Sequence, residues 1–395
     1  MAGTAELPSE MIGEILHRLP AKDLLRCRCV NKLWRSVIDD RSFVKKHLQH
    51  MTGSAGAENH RITILLYSDL QKLYSAEMEP PYRVRELPRP PMRVKLVGSC
   101  NGLLCLASSF SLDFLLWNPL TNSRARLPLP ESLRRESVTV GGRIRTIFSW
   151  ANDTVFGFGY DSVKEDYKVV IIDHVIREGY QDIRIYSSRR NSWRRFREER
   201  YKIHCLLSEG RMGVYACNNL HWVMTRRSDS NETRLIVAFD LRINNCREVP
   251  LPFYLGKDFW VDVAVLGGCL GMVVNSPRQT VSGVWIMREY GSRESWVKLL
   301  SIRWPRFAEF GHDYYLHPSN SGGQLLVEGL DEKFHWFDAK SQSFRSFKFD
   351  LALNESFDAG HESFDAEVCV GSLVGADVHV GTQTGAPAAV AAPII

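Results

Sequence analysis

The chain has 395 residues, of which 44% are hydrophobic and 24% charged, a composition typical of globular protein and a length that suggests two domains. The net charge of +5 is modest, and no apolar run of roughly eighteen residues occurs, which disfavours a membrane-spanning helix and a strongly basic surface. The N-terminus lacks the pattern of a secretory signal, and the nine cysteines include no Cys-x-x-Cys pair, so we expect free thiols and a location in cytoplasm and nucleus.

The first fifty residues carry a helical periodicity. One apolar stripe recurs at i, i+3, i+4 and i+7 spacing and is formed by Ile12, Ile15, Leu16 and Leu19. Pro8 suits the first turn of this helix, where a missing N–H matters little, and Pro20 marks its end. Two further helical segments are predicted at 24–30 and 31–38. Three helices in about forty residues bury too small a core to be stable alone, so we expect this unit to complete its burial against a partner.

The order and spacing of these residues resemble the F-box. The positions that agree are Leu7-Pro8, the apolar stripe, Leu19-Pro20 with Leu24-Leu25, Cys27-Arg28-Cys29-Val30 and Lys32-x-Trp34-Arg35. Members of that family dock on the Skp adaptor of the Skp–cullin–F-box ubiquitin ligase. The alternative is an ordinary helical unit that packs on its own downstream domain.

The resemblance implies a set of adaptor-binding residues in this unit. Those expected to carry adaptor contacts, or to support them, are Leu7, Pro8, Ile12, Ile15, Leu16, Leu19, Pro20 and Leu24. The adaptor would in turn connect the chain to cullin, so the implied partners are a Skp-type adaptor and, through it, a cullin.

The periodicity changes after the helices. Residues 51–60 are mostly small and are predicted to form a linker. From Arg61 onward, short alternating runs are bounded by Gly, Pro, Asn and Asp, as at 62–67, 102–106 and 167–172. No helix of three turns is predicted between Arg61 and Asp350, so this part of the chain is predicted to be all-β.

The β part also repeats. A bulky residue near a strand end, followed by a polar turn, recurs about every fifty residues, at Tyr74, Trp117, Tyr186, Phe239, Ile286 and Phe337. One step is longer because of an insertion near 131–155. Four short strands fit into each step, which is the content of one blade of a β-propeller. Tight Gly or Asn turns, as at 101–102, 218–219 and 267–268, precede the strands expected to be buried.

This second part resembles the kelch-like F-box-associated domain of plant F-box proteins. The matching phrases include Gly98-Ser99-Cys100-Asn101-Gly102-Leu103, Trp117-Asn118-Pro119, Gly157-Phe158-Gly159-Tyr160-Asp161-Ser162, Asn219-Leu220-His221-Trp222 and Trp285-Ile286-Met287. Within the family the resemblance is greatest to members that restrain immunity by directing nucleotide-binding leucine-rich-repeat receptors to degradation. Pollen self-incompatibility F-box proteins share the architecture, so the resemblance alone leaves the substrate open.

Together these features predict a multidomain α plus all-β chain. We expect a three-helix F-box at 1–50, a linker at 51–60, a kelch-like β-propeller of about six blades at 61–370 and a disordered low-complexity tail at 371–395. The tail consists largely of small side chains, which cannot offset the entropy lost on ordering. Whether 363–370 supplies a closing strand stays open.

No established catalytic motif occurs in the sequence. The G-x-S-x-G, P-loop and H-E-x-x-H patterns are absent, so we predict no catalytic residue, no metal site and no cofactor. His221 is expected to be a satisfied core residue, Asp161 and Asp166 to cap turns, and the tryptophans to anchor the packing of blades. A substrate receptor is therefore the predicted function, with a propeller-fold hydrolase or an adaptor-free scaffold as the alternatives.

Arginine is concentrated between 184 and 211, interleaved with acidic residues. The interleaving weakens any field that would attract phosphates, so a solvated rim is favoured over a nucleic-acid surface. The segment is also the candidate surface for a protein substrate, with Arg189, Arg194, Arg195 and Arg197 as the predicted residues. The insertion near 131–155 is a second loop-like candidate.

Overall fold

The computed structural model describes residues 8–52, 61–67, 72–76, 84–88, 90, 94–108, 113–130, 136–140, 143–147, 154–175, 179–203, 212–231, 233–255, 259–275, 281–303, 316–318, 324–328, 334–347 and 364–376. Within these residues a small helical unit precedes an all-β ring, in the order that the change of periodicity predicts. Leu7, the linker residues 53–60 and the chain after 376 lie outside the described residues.

The helical unit contains one helix more than predicted. Its helices are α1 (Ser9–His17), α2 (Ala21–Cys27), α3 (Lys32–Asp39) and α4 (Arg41–Thr52). Helix α4 begins where the Asp40 carboxylate accepts hydrogen bonds from the backbone N–H groups of Ser42 (2.9 Å) and Phe43 (3.1 Å). An N-terminal cap of this kind satisfies donors that a helix leaves without a partner. The helical unit therefore extends to residue 52, two residues into the predicted linker.

The β part is built from antiparallel four-stranded blades, six of them among the described residues. Blade 1 contains β1 (Arg61–Tyr67), β2 (Lys72–Ala76) and β3 (Val84–Glu86). Blade 2 contains β4 (Val94–Cys100), β5 (Leu103–Ser108), β6 (Phe114–Trp117) and β7 (Arg124–Arg126). A hairpin follows, formed by β8 (Glu136–Val140) and β9 (Arg143–Ile147). It occupies the insertion that the repeat spacing predicts near 131–155.

The middle of the ring holds blades 3 and 4. Blade 3 contains β10 (Thr154–Asp161), β11 (Asp166–Val175), β12 (Tyr180–Ser187) and β13 (Ser192–Glu198). Blade 4 contains β14 (Tyr201–Ile203), β15 (Met212–Ala216), β16 (Asn219–Arg226), β17 (Arg234–Asp240) and β18 (Asn245–Glu248). Both β14 and β15 pair with β16, and β10 pairs with β15 in parallel, so these two blades share one continuous sheet.

The last blades complete the ring. Blade 5 contains β19 (Trp260–Leu266), β20 (Cys269–Asn275), β21 (Val281–Met287) and β22 (Trp296–Arg303). Blade 6 contains β23 (Leu316–Pro318), β24 (Gln324–Glu328), β25 (Phe334–Asp338) and β26 (Ser343–Phe347). The final strand, β27 (Phe364–Val370), returns to blade 1 and pairs antiparallel with β1 from Arg61↔Val370 to Tyr67↔Phe364. The last strand among the described residues therefore closes the ring, which answers the question that the sequence left open.

The repeat read from the sequence is confirmed strand by strand. Each of the six reference residues lies in the third strand of its blade, namely in β2, β6, β12, β17, β21 and β25. Two of the predicted turns between first and second strands are confirmed, and the third lies at Cys217-Asn218, one residue earlier than predicted. Asn101-Gly102 and Gly267-Gly268 each have two successive positive φ angles, 54° and 80°, and 58° and 80°. This backbone matches the twist of the strands it joins, and Asn and Gly adopt it readily.

The core is divided among the interfaces between neighbouring blades. In β5, Cys105 packs in the cluster shared by blades 2 and 3, whereas Leu104 and Leu106 pack in the cluster shared by blades 1 and 2. Every residue of β5 is buried. A strand covered on both faces requires an apolar run without alternation, and 103–107 is such a run.

Two tryptophans fasten successive blades at the rim. The indole N–H of Trp193 in blade 3 donates to the Pro128 carbonyl after blade 2 (2.6 Å). The indole N–H of Trp296 in blade 5 donates in the same way to the Pro250 carbonyl after blade 4 (2.8 Å). Each is also packed against the neighbouring blade cluster, so the prediction that the tryptophans anchor blade packing is confirmed at these positions.

Residues 371–376, called the latch below, are packed although the sequence predicts a disordered tail from 371. The Ser372 hydroxyl donates to the Asn101 carbonyl (2.6 Å), and the Asn118 amide donates to the carbonyls of Ser372 (2.9 Å) and Val374 (2.8 Å). The Ala376 N–H donates to the Ser123 hydroxyl (2.9 Å). At least six residues past the predicted boundary are therefore packed on the ring, because polar groups in the turns of blade 2 satisfy their backbone.

The helical unit is attached at the end of the ring where first and second strands are joined. Val44 and Leu48 of α4 pack on the cluster between blades 2 and 3. Lys45 forms an ion pair with Glu165, in the turn between β10 and β11. From the ring side, Leu373 of the latch packs on the core of the helical unit. We call this the helix-side end, and the opposite end, where second strands connect to third strands, the distal end.

The latch generates a stability prediction. A chain that ends at Val370 should lose roughly 4 kcal/mol of unfolding free energy, because it loses the burial of Val374 and leaves the Asn118 amide and the Asn101 carbonyl without the hydrogen bonds described above. A chain that ends at Ala376 keeps these contacts and is the matched control. Thermal unfolding of both, followed by circular dichroism, measures the difference. Equal melting temperatures would contradict a structural role for the latch.

Candidate functional site

The predicted apolar stripe of α1 divides between the inside and the outside of the helical unit. Ile12 is 8% exposed, Leu16 1% and Leu24 0%, and these three form its core with Ile38 and Phe43. These residues are expected either to contact the adaptor or to support the residues that do. Because they are buried in this conformation, they can only support. Their burial supplies much of the apolar stabilisation of a unit this small.

The outward face consists of other apolar residues. Ile15 is 51% exposed, and Met11, one helical turn before it, is 53% exposed. Val30, which follows α2, and Leu33 in α3 are 60% and 47% exposed. Sequence reasoning missed Met11, Val30 and Leu33, although the i, i+4 spacing of Met11 and Ile15 could have identified the first. We call these four residues the outward apolar face.

The remaining predicted adaptor residues flank this face. Pro8 is exposed and lies immediately before α1, one residue earlier than expected. Leu19 and Pro20 are half-buried between α1 and α2, and Leu19 packs on the helical core. The Leu19 carbonyl is also 2.8 Å from the Nε2 atom of His47, which connects this corner to α4. Leu7 lies outside the described residues, so its predicted contact stays a prediction.

The arginine-rich segment is spread along the outer edge of blade 3 rather than gathered in one patch. Arg189 lies in the turn between β12 and β13, at the helix-side end, and donates to the Lys164 carbonyl (3.2 Å). Arg195 forms an ion pair with the buried Asp182 (2.5 Å), and the guanidinium of Arg197 stacks over Tyr180 (4.4 Å). Arg194 is also exposed in β13, and its side chain lies on the opposite face of that strand from those of Arg195 and Arg197.

His221 is a satisfied core residue, as predicted. It is 1% exposed; its Nδ1 atom is 3.0 Å from the Val214 carbonyl and its Nε2 atom 2.8 Å from the Tyr290 hydroxyl. The neutral ring fits this arrangement, with Nδ1–H donating to Val214 and Nε2 accepting from Tyr290. Burial lowers the pKa of His221 to about 4, and the nearby Arg247 acts in the same direction. The group is thus held neutral inside the ring.

Asp161 and Asp166 also behave as predicted. Asp161 accepts from the N–H groups of Val163 and Lys164, both at 3.1 Å, in the turn after β10. Asp166 accepts from the Ser187 hydroxyl (2.7 Å) and holds the turn after β12. Both carboxylates therefore cap turns.

Within the described residues, no group of three or more His, Cys, Asp or Glu is placed to hold a metal ion, and no helix has the length and apolarity needed to cross a membrane.

Comparison with protein families assigns both parts of the chain. Residues 5–46 match the F-box domain, and residues 61–348 match the F-box associated beta propeller domain. These matches agree with the resemblance drawn from the sequence in both halves.

Known proteins of the same organisation extend over most of the chain. It is 31% identical to "F-box protein CPR1" of Arabidopsis thaliana, over 94% of this chain and 89% of that protein. It is 29% identical to "F-box/kelch-repeat protein At3g23880" of the same plant, over 75% of this chain and 79% of that protein. A solved "Oligogalacturonate lyase in complex with manganese" covers 73% of each chain with a TM-score of 0.39 and 9% identity, too little similarity to indicate a shared activity. The expected resemblance to the constitutive expresser of pathogenesis-related genes F-box protein is confirmed.

The environment of His221 generates a pH prediction. In the unfolded chain a histidine takes up a proton near pH 6.5, whereas in the fold His221 stays neutral down to a pKa of about 4. Between these values the unfolded state binds more protons, so stability falls as the pH falls. The loss between pH 6.5 and pH 5 is roughly 2 kcal/mol.

Urea unfolding at pH 7.5, 6 and 5 measures this loss. His221→Gln, which keeps a donor and an acceptor without titrating, should show a pH dependence weaker by that amount. His50→Gln, on the exposed surface of α4, is the control and should keep the wild-type dependence. An identical pH dependence in the wild type and in His221→Gln would rule out His221 as the source.

Proposed function

The chain belongs to the F-box proteins in which an F-box precedes an F-box-associated β-propeller, and we propose that it is the substrate-recognition subunit of a Skp–cullin–F-box ubiquitin ligase. The F-box implies binding to a Skp adaptor, and proteins of this organisation serve as substrate adaptors in such ligases. The propeller captures a target protein, which the ligase then ubiquitinates and commits to proteasomal degradation.

The observation that carries this proposal is the outward apolar face. Four large apolar side chains, each 47% to 60% exposed, lie on a unit of 45 described residues whose own core is complete without them. A protein in water rarely exposes four large apolar side chains on so small a unit unless another surface covers them. The Skp adaptor is the partner that the F-box implies.

The attachment of the helical unit to the ring supports a bridging role. The residues of the outward apolar face lie in α1, in α3 and in the turn between α2 and α3, whereas α4 packs on blades 2 and 3, so the proposed adaptor contacts and the ring contacts come from different segments of the same unit. A receptor that holds its target at a fixed position accelerates transfer by proximity and orientation, with no reactive residue of its own. A buried, neutral His221 and turn-capping Asp161 and Asp166 favour this function over that of a propeller-fold hydrolase.

For the targets, we propose nucleotide-binding leucine-rich-repeat immune receptors and a role in plant defence regulation. The support is the resemblance to the F-box protein CPR1, at 31% identity. The proposed location is cytoplasm and nucleus. The free thiols among the described cysteines, including the fully buried Cys105, are in keeping with a reducing compartment.

The arginine-rich edge of blade 3 is retained as one proposed substrate surface. Because Arg195 and Arg197 are engaged within the chain, reversing their charge would also disturb the fold around Asp182 and Tyr180. Arg194→Glu is the cleaner variant, since Arg194 is exposed and lies on the opposite face of β13 from the contacts of Arg195 and Arg197. Loss of target capture by this variant, with adaptor binding unchanged, would assign the edge of blade 3 to the substrate.

Adaptor binding is tested on the outward apolar face. Met11→Glu combined with Ile15→Glu should weaken binding to the Skp adaptor at least about a hundredfold, because each apolar side chain buried in an interface contributes roughly 1.5–3 kcal/mol. The measurement is calorimetric titration of the purified chain with the adaptor. Leu7→Ala combined with Pro8→Ala tests the predicted N-terminal contacts in the same assay.

The matched control places the same chemistry on the ring. Leu129 and Leu299 are 57% and 49% exposed, so Leu129→Glu with Leu299→Glu introduces two charges at comparable surface positions. This control should bind the adaptor like the wild type. Unchanged affinity in the Met11/Ile15 variant, with its melting temperature also unchanged, would exclude the outward apolar face as the adaptor site.

A further inference from the structure

A groove of about 720 Å³ lies where blades 4 and 5 meet. One wall is the loop between β16 and β17, which connects a second strand to a third strand and therefore belongs to the distal end. The other wall is the segment 249–255, which leads from β18 to blade 5, and Arg293 of blade 5 closes one side. Arg293 lies in the loop between β21 and β22, so the groove is built where the two blades meet rather than from one end of the ring, and it is away from blades 2 and 3, on which α4 packs.

The wall 249–255 is held rigid from behind. The Pro250 carbonyl accepts from the Trp296 indole (2.8 Å), and the Leu255 carbonyl accepts from the Arg234 N–H (3.1 Å). Between these two points, the ring of Phe253 packs edge-on against Trp285, with 5.1 Å between their centroids. A wall ordered before binding loses little conformational entropy on binding, which favours recognition.

Tyr254 is the residue that this wall presents outward. Its side chain is 66% exposed, although both its neighbours, Phe253 and Leu255, are packed on the blades. The Tyr254 hydroxyl lies 2.9 Å from the hydroxyl of Thr233 across the groove, so the exposed ring is already held in one orientation. Exposed but oriented tyrosines are frequent anchors of protein interfaces, because they bury a large area at small entropic cost.

The charges in the groove leave an excess of positive charge. Three arginines line it, Arg226, Arg234 and Arg293, against two acids, Asp229 and Glu248. Glu248 is held by two hydrogen bonds from Arg226, at 2.8 and 2.5 Å.

Asp229 is occupied by its own loop. Its carboxylate accepts from the N–H groups of Asn231 (2.8 Å) and Thr233 (3.1 Å), and hydrogen bonds from Thr233 and Asn231 lower its pKa. Both acids are thus engaged within the groove. The exposed Arg293, in contrast, makes a long hydrogen bond of 3.4 Å to the uncharged Pro252 carbonyl, so its charge remains available to a ligand.

We propose that this groove binds an extended acidic segment of the target protein, with a carboxylate at Arg293 and a neighbouring apolar or aromatic side chain against Tyr254. The proposal rests on the proposed function, since it names the chemistry of the target. Charge complementarity selects an acidic partner, and a guanidinium forms paired hydrogen bonds with a carboxylate. The oriented tyrosine selects a bulky side chain next to that carboxylate.

The test uses the full chain in complex with the Skp adaptor and two fluorescent ten-residue peptides. The first places one phenylalanine among aspartates and glutamates, and the second carries lysine at each acidic position. Fluorescence anisotropy at low salt measures both affinities. We expect the acidic peptide to bind at least about tenfold more tightly, and its binding to weaken with added salt, because exposed ion pairs are screened.

The variants locate the site. Arg293→Glu and Tyr254→Ala should each weaken the acidic peptide about tenfold. Arg345→Glu, an exposed arginine of blade 6, is the matched control and should leave the affinity unchanged. Unchanged binding in both groove variants would overturn the proposal, and loss of binding in Arg194→Glu alone would assign the acidic segment to the edge of blade 3 instead.

Two further readouts separate the possible failures. Thermal unfolding of each variant identifies any loss that results from misfolding. Calorimetric titration with the adaptor reports on the proposed ligase role independently of the groove. If the wild-type chain binds the adaptor but shows no preference for the acidic peptide, the groove proposal alone is overturned. If the wild-type chain does not bind the adaptor, the ligase role is overturned.

Discussion

Closure of the ring by the last strand is the constraint on which the rest of the structure depends. Blade 1 receives its innermost strand, β27, from the far end of the chain, through seven residue pairs with β1. Without β27 the inner edge of β1 would expose unpaired backbone groups, a liability that closed β structures avoid. The latch then continues the same segment into blade 2 and onto the core of the helical unit. A single stretch, 364–376, therefore joins the first blade, the second blade and the F-box.

The helical unit shows how a very small domain serves two surfaces. Its core of Ile12, Leu16 and Leu24 fills the interior, and α4 uses its other side to pack on the ring. The outward apolar face is left exposed, because Met11, Ile15 and Leu33 lie off the buried sides of their helices and Val30 lies in the turn after α2. Support from the ring compensates for the small core, so apolar residues can remain outside for a partner without loss of the fold.

Much of this architecture could be predicted from the sequence, because it repeats. Third-strand residues such as Trp117 and Phe239, and turns such as Asn101-Gly102, carry local signals that recur about every fifty residues. Helix α4 could not be predicted as easily, since its apolar positions face both the helical core and the ring and therefore show no single stripe. The sequence of the latch likewise contains no pattern that predicts its packing. Its order comes from Asn118 and Asn101, which lie more than 250 positions away in the chain. The adaptor surface was predicted in part, because helical spacing identifies an apolar stripe but not which flank a neighbouring helix covers.

The groove between blades 4 and 5 illustrates a different limit of prediction. Its residues come from three separate segments, around 226–235, 248–255 and 293, and none of them carries a recognisable motif. The arginine-rich stretch 184–211 attracted attention because its charges are neighbours in sequence, yet Arg195 and Arg197 are largely used within blade 3. In a propeller, residues that share a surface are usually one repeat apart, since adjacent blades rather than adjacent residues build the ends of the ring. A charge that matters for recognition is therefore better sought where neighbouring blades meet than by counting charges along the chain. Here the junction of two blades brings Arg293 of blade 5 into the same groove as Tyr254, which follows blade 4.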